Sequence, residues 1–288
     1  MQYHVNGELV PEAEATVSVD DRGFQYGDAG FETLRAYGGT LFKWAEHLDR
    51  LQNTCELLGM PDVIPGDLRE RVEATLDAND LAEAYVRMSI TRGVQPGALT
   101  PQPEVDPTVV IIVKELPRAG VHGTPRWDGP ATVKLVETRR NHPDAIPPGL
   151  KTHNYLNGIL ARLELRAEDG RIEADDGIML DTEGYVAEGT TANVFFVEDG
   201  VLHTPSLDGP ILAGVTRDVV LELAADLDIP VETGRYRPER LREADELFLT
   251  NTTGEVWPIG KLDDQPFEVG PVTERLQAAY DELVEEFY

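Results

Sequence analysis

The sequence predicts an α+β protein of two domains, and three observations carry that reading. Its 288 residues are enough to bury one large core or two moderate ones. Strand-like and helix-like patterns occur in both halves of the chain instead of segregating. Between Glu115 and Gly129 periodicity lapses, and Pro117, Gly120, Gly123, Pro125 and Gly129 punctuate the stretch. This places a first domain at 1–114, a linker at 115–129 and a second domain at 130–288, with a site expected where the two meet.

Residues 1–20 alternate in the manner of strands, with Asn6-Gly7 as a hairpin signal. Two further strands, Ala29–Tyr37 and Leu41–Trp44, flank Gly38-Gly39. Glu46–Met60 reads as a helix with Leu48, Leu51, Cys55 and Leu58 on one face, and Leu68–Asn79 as a second. Tyr85–Thr91 and Val109–Lys114 read as strands, the latter β-branched enough to be central. Beyond the linker, a strand is expected at Ala131–Glu137, a helix at Tyr155–Glu168, and strands at Gly177–Asp181, Ala192–Val197 and Val201–Thr204. Gly214 opens a helix running to Leu227, Leu247–Thr250 is a short strand, and Thr273–Phe287 a closing helix.

The charge is extreme: 53 acidic residues against 25 basic ones give a formal net charge of −28. A phosphate-tracking surface for nucleic acid needs a basic footprint, so nucleic-acid partners are not expected. The acids are spread along the whole chain and only five lysines occur, a pattern that suggests a halophilic protein whose self-repulsion is screened by salt, although an acidic protein of dilute cytosol has the same composition. No apolar stretch has the length of a membrane span, and the amino terminus lacks the order of a signal peptide; a cytoplasmic location is expected. The single cysteine, Cys55, reads as a buried thiol.

Several chemistries are disfavoured by what is missing. None of the three serines sits in a Gly-x-Ser-x-Gly elbow, no His-Glu-x-x-His pair occurs, and neither a phosphate loop nor a dinucleotide fingerprint is present, so no metal centre is expected. Gly214-Val215-Thr216, opening a helix, offers N–H groups and a hydroxyl to an anion, and is equally an ordinary helix start. Thr250-Asn251-Thr252-Thr253-Gly254 is a hydroxyl-rich turn at a strand end that would suit the same anion or be a turn only. Lys151, between a proline-rich turn and a helix, is either a solvated lysine or a chemical amine. Glu188 lies beside small residues before an apolar strand; a buried carboxylate there needs a partner, for which a protonated ring nitrogen would serve.

In order, these segments resemble the class IV pyridoxal-phosphate family, which holds branched-chain aminotransferases, D-amino-acid aminotransferases and aminodeoxychorismate lyases. The resemblance runs from Tyr3 to the last helix. It is carried by Asp21-Arg22-Gly23-Phe24-Gln25-Tyr26-Gly27-Asp28, His47-Leu48-Asp49-Arg50-Leu51, Lys151-Thr152-His153-Asn154-Tyr155-Leu156-Asn157, the Glu188 segment, Gly214-Val215-Thr216-Arg217-Asp218, and Asp245-Glu246-Leu247-Phe248-Leu249-Thr250-Asn251-Thr252. Each piece is weak alone; the ordered set is specific. The resemblance implies fold type IV: a small N-terminal α/β domain, a linker and a larger barrel-like α/β domain, as a homodimer sharing its active sites.

It further implies pyridoxal 5′-phosphate as cofactor, with Lys151 as the catalytic Schiff-base lysine. Arg50, Val215, Thr216 and Thr252 would hold the phosphate, Tyr155 the ring hydroxyl and Glu188 the ring nitrogen. For Arg50 the competing reading is a helix-surface pair with Glu46. On the substrate side, Tyr85 and Arg87 resemble the aminotransferase strand that takes an acidic co-substrate, and the backbone at Thr253 and Gly254 resembles turns that accept an α-carboxylate. Phe31 and Thr33 would shape the pocket; Thr33 stands where branched-chain enzymes usually carry glycine and looks more like the lyases, as does Asn251. The implied activity is transamination between an amino acid, branched-chain or similar with glutamate as partner, and a 2-oxo acid. The alternative is cleavage of aminodeoxychorismate to 4-aminobenzoate and pyruvate. A D-amino-acid transaminase is disfavoured because Val94–Leu99 lacks the arginine and histidine that subfamily carries, and a catalytically silent binding protein because no cofactor position is lost.

Overall fold

The computed structural model describes residues 1–118, 129–167 and 169–288. The linker expected at 115–129 and the helix end expected at Glu168 therefore lie largely or wholly outside the described residues. The chain divides into two compact units: the amino-terminal part together with Leu150–Asn154 and Phe287–Tyr288, and the remainder.

The first unit contains β1 (Gln2–Val5), β2 (Glu8–Pro11), α1 (Arg22–Tyr26), β3 (Ala29–Tyr37), β4 (Thr40–Leu41), α2 (Trp44–Leu57), α3 (Leu68–Asp77), β5 (Ala84–Thr91) and β6 (Val109–Glu115). Its antiparallel sheet has the order β2-β1-β6-β5-β3-β4, which puts the β-branched run of β6 in the interior, as expected. β3 and β5 stay in unbroken register from Ala29↔Thr91 to Ala36↔Ala84. Side chains alternate along a strand, so Leu34, Ala36, Val86, Met88 and Ile90 share one face and meet Leu51, Cys55, Leu68, Val72 and Leu76 of α2 and α3 in one apolar core. The opposite parity, Phe31, Thr33, Tyr85, Arg87 and Ser89, is left on the other face. Burial pushes the Cys55 thiol up to about 11, which keeps it protonated and inert.

The second unit contains β7 (Ala131–Leu135), α4 (Leu156–Leu163), β8 (Asp176–Leu180), β9 (Val186–Gly189), β10 (Asn193–Glu198), β11 (Val201–Pro205), α5 (Val215–Asp226), β12 (Val231–Gly234), α6 (Pro238–Glu243), β13 (Glu246–Asn251), β14 (Glu255–Leu262), β15 (Gln265–Pro266) and α7 (Pro271–Glu285). The sheet order is β12-β11-β10-β13-β14-β7-β8-β9, with β15 on β14. It curls on itself: the Gly189 N–H at the end of β9 donates to the Ala192 carbonyl at 2.7 Å, beside the start of β10. Strands and helices are mixed in both units, as the α+β expectation has it.

Several boundaries differ from expectation. β4 stops at Leu41 and α2 begins at Trp44, because Lys43 takes a left-handed φ of 51° that ends one element and starts the next. The α4 helix ends at Leu163, after which an Arg166↔Ile172 bridge turns the chain. Val186–Gly189 is a strand, not a loop; all four residues are buried, so no alternation betrays it. The strand expected from Ala192 begins at Asn193, and the helix expected at Thr273 begins earlier, with Pro271 in its first turn. Leu51 is fully buried between α2 and β3, and Leu51→Ala should cost about 2–5 kcal/mol, read as a lower thermal unfolding midpoint; an unchanged midpoint would refute the described packing.

Candidate active site

The candidate residues fall into two groups, one in each unit. In the first unit, Leu150–Asn154 adds a short strand to the free side of β3. Thr152 bridges Gly30, the Phe31 N–H donates to the Lys151 carbonyl at 2.9 Å, and the His153 N–H donates to the Ala29 carbonyl at 3.0 Å. The Lys151 N–H in turn donates to Thr54 Oγ1 of α2 at 3.2 Å. With Thr152 opposite Gly30, alternation turns Lys151 and His153 to the face that carries Phe31. The Lys151 Nζ lies 4.6 Å from the Phe31 ring centroid.

The Arg87 guanidinium stacks on the same ring at 3.8 Å, and Thr33 is its cross-strand neighbour. Among the described residues the Arg87 side chain has neither a hydrogen bond nor an ion pair. The planar guanidinium is a group suited to two-point pairing with a carboxylate. His153 Nε2 lies 3.1 Å from Ser89 Oγ; burial first and the Arg87 charge second push its imidazole down to about 4, so it is neutral at pH 7. Tyr85 stands further along the same strand face, opposite Arg35.

On the helix-facing side of β3, Glu32 receives Arg50 in a two-point pair, Nε to Oε1 at 2.6 Å and Nη2 to Oε2 at 2.8 Å. His47 Nδ1 donates to the same Oε2 at 2.8 Å. Arg50 is thus paired with Glu32 and not with Glu46, which pairs with Lys43. Burial alone would raise the Glu32 carboxyl, yet Arg50 and His47 bring it down to about 2. Burial keeps His47 below its ordinary value, hence neutral.

In the second unit, Glu188 on β9 is buried and its two oxygens are engaged separately. Oε1 meets Arg140 Nη2 at 3.0 Å, while Oε2 accepts from the Leu212 N–H at 3.0 Å and from Asn193 Nδ2 at 3.4 Å. Arg140 is itself fixed by the Pro210 carbonyl and by Asn157 Oδ1. Gly214 sits just before α5, and a Cβ there would come within 2.0 Å of Asn193 Oδ1, so only glycine lets the helix start this close to β10. Val215 and Thr216 are the first residues of α5, both buried, at a helix end without a side-chain cap. Thr252, Thr253 and Gly254 form the turn between β13 and β14; the Gly254 N–H donates to Asn251 Oδ1 at 2.5 Å, and Thr253 Oγ1 reaches the same oxygen at 3.2 Å. The Gly254 N–H expected to take an α-carboxylate is thus occupied by Asn251. Tyr155 stands immediately before α4.

Sequence reasoning missed Glu32, His47, Ser89, His153 and Arg140. For Glu32 the signal was present: it shares strand parity with Gly30 and Leu34, so a carboxylate there faces the core and requires partners; on one helix, three residues apart, Arg50 supplies the cation and His47 a ring N–H. Arg140 lies in an irregular segment and carried no comparable signal.

Taken unit by unit, the chemistry of these groups fits an organic phosphate bearing a basic ring: an amine and an arginine in the first unit, and in the second a carboxylate and an uncapped helix start with its threonine. The family model for amino-transferase class IV matches residues 29–262. The chain therefore belongs to the class IV aminotransferases, and it is an enzyme of that class. It is 36% identical over 289 residues to a protein described as a putative branched-chain-amino-acid aminotransferase of Methanocaldococcus jannaschii, covering 98% of this chain and 96% of that one. It is 35% identical over 282 residues to the aminodeoxychorismate lyase of Bacillus subtilis, covering 96% and 92%. The branched-chain aminotransferase of the archaeon Thermoproteus uzoniensis, solved with norvaline, superposes with a TM-score of 0.90 at 30% identity over 100% of this chain and 95% of that one. Class IV aminotransferases use pyridoxal 5′-phosphate, and the solved structures similar to this chain include a branched-chain aminotransferase with pyridoxamine 5′-phosphate.

The His153 environment has a stability consequence. Its folded value is depressed to about 4 from an ordinary 6.5, so between those values the unfolded chain binds more protons. The contribution is present above pH 6.5 and is lost as pH falls toward 4. His153→Gln should lose less stability than the unmodified chain across that window in denaturant titrations; parallel pH profiles would refute the assignment.

Proposed function

We propose that this chain is a pyridoxal-phosphate-dependent transaminase moving an amino group between an amino acid, branched-chain or similar with glutamate as partner, and a 2-oxo acid. The observation that carries this reading is the Phe31 ring with Lys151 Nζ at 4.6 Å and the uncompensated Arg87 guanidinium at 3.8 Å, an amine beside a carboxylate receptor. Transamination with glutamate requires both. Tyr85, Thr33 and Phe31 line the wall that sets which side chain enters.

Pyridoxal phosphate, when bound, supplies a ring that takes up the electron pair left as the substrate Cα gives up its proton. The roles of the chain's own groups follow. Lys151 would hold the cofactor through its amine and would be the base that carries the proton from the substrate Cα. Glu188 would face the ring nitrogen and favour its protonated form, and Arg140, paired to one oxygen of the same carboxylate, would fix its orientation. Tyr155 bonds the ring hydroxyl. Arg50, Thr252 and the start of α5 at Val215 and Thr216 hold the phosphate. Thr253 and Gly254 receive the α-carboxylate, for which Asn251 has to release the Gly254 N–H.

A second reading, aminodeoxychorismate lyase, is favoured by Thr33, which lies in register with Arg87 at a position where branched-chain enzymes usually carry glycine. L-Glutamate or L-leucine added to the purified protein should convert the bound cofactor's absorption to that of the amine form, and Lys151→Ala should abolish both the lysine-bound band and turnover. If the amino acids leave the spectrum unchanged while aminodeoxychorismate yields 4-aminobenzoate, the lyase reading replaces the first. A protein that binds no pyridoxal phosphate at all would be a silent member of the fold.

We further propose a homodimer and a 115–129 linker, which the family resemblance implies, and a cytoplasmic, salt-adapted enzyme, for which the net charge of −28 speaks. Leu156, Ile159, Leu160 and Leu163 are 59%, 53%, 47% and 54% exposed and form one stripe of α4. A second copy of the chain is the occupant proposed for that stripe. Among the described residues no helix is long and apolar enough to cross a membrane. Light scattering should give twice the 31.8 kDa chain mass at molar salt, with dissociation in dilute buffer as screening is lost. Leu160→Glu should yield monomer at both salt levels; a dimer unaffected by this change would exclude the α4 face.

A further inference from the structure

Glu32 has no role in the proposed reaction, yet it is the most completely committed carboxylate in the first unit. Its side chain is 0% exposed and that of Arg50 only 12%. Oε1 takes Arg50 Nε, Oε2 takes Arg50 Nη2 and His47 Nδ1, and the Thr33 N–H adds a contact to Oε2 at 3.3 Å. A buried ion pair of this kind is not by itself a source of stability, since desolvation offsets much of its attraction. What the two-point pair does achieve is geometric. Parallel bonds through Nε and Nη2 fix the plane of the guanidinium, which a flexible side chain would otherwise sweep through many rotamers.

We propose that Glu32, braced by His47, is the positioning residue that holds the Arg50 fork in the orientation that receives the phosphate monoester of the cofactor. The proposal rests on the reading of Arg50 as a phosphate ligand. Two effects oppose each other, and their balance decides it. Glu32 is an anion close to the place of another anion, so on charge alone its removal strengthens phosphate binding. As the anchor of Arg50, its removal weakens binding. In Glu32→Gln one amide oxygen still accepts, but the amide N–H₂ faces an Arg50 N–H, so one of the two bonds becomes a donor–donor contact and the fork turns. Positioning groups of this sort are worth roughly 10- to 100-fold in affinity for what they position.

The test is a pair of dissociation constants measured by equilibrium dialysis on the purified full-length chain freed of cofactor, one for pyridoxal 5′-phosphate and one for pyridoxal. The ratio isolates the phosphate, and a general loosening of the fold weakens both ligands together and leaves it unchanged. Glu32→Gln should shrink the ratio by about 10-fold or more, mainly through the phosphorylated ligand, with Glu32→Asp between the two. His47→Gln, which keeps the ion pair but removes one brace, should reduce it by a smaller factor and serves if Glu32→Gln does not fold. An unchanged or larger ratio in the folded variants overturns the proposal, because Glu32 then acts through charge alone. Arg50→Met separates the two layers. If it leaves the ratio as in the unmodified chain, Arg50 does not hold the phosphate and the underlying reading fails; if it collapses the ratio while Glu32→Gln does not, only the positioning role falls.

Discussion

Backbone hydrogen bonds on either side of the Gly30–Thr152 bridge decide where the chemistry of the first unit is located. They lay Leu150–Asn154 against β3, far from it in sequence, and the alternation of a two-stranded pairing then aims Lys151 and His153 at the Phe31 face. A slip of one residue would send the Lys151 amine to the α2 side and bring Thr152 to Phe31. Gly30 is part of this constraint, since a Cβ there would press on Thr54 Cγ2 at 3.0 Å, and Thr54 is the residue that receives the Lys151 N–H. The strand, the helix and the added segment thus hold one another in register.

The same sheet separates two electrostatic environments by strand parity. On the α2 side, Glu32, Arg50 and neutral His47 form a closed cluster in which charge is balanced and every carboxylate oxygen is used. On the Phe31 side, Lys151, Arg87 and neutral His153 gather without a carboxylate facing Arg87. Of these groups, the Arg87 side chain carries its charge without a hydrogen bond or ion pair among the described residues. The second unit follows a related logic at Glu188, whose two oxygens are assigned to different partners, one cationic and the other a set of N–H donors. A carboxylate so held is fixed in orientation.

Short motifs identified the family because their residues do local work. Gly214 is needed where α5 approaches Asn193, the Thr252–Gly254 turn joins two strands, and Lys151 follows a proline-rich turn. The long elements β3, α2, α3, β5 and β6 were legible because each has one apolar face and a regular period. Elements buried on every side, such as β9, or as short as α1, α6 and β12, leave no period to detect. The competing helix-surface pair for Arg50 was local, between Glu46 and Arg50; the actual partner comes from a strand, a relation that spacing along one helix does not contain.

By itself, the order of residues determined the class of protein and supplied the candidate groups for its chemistry, because motifs depend on residue type and local backbone. Only tertiary structure decided that Lys151 pairs with β3, that Arg87 is left without a counter-ion while Arg50 is not, and that Arg140 stands behind Glu188. The physical reason is that charge balance and hydrogen-bond partnership are properties of neighbours in space, and here the neighbours come from segments far apart in the chain.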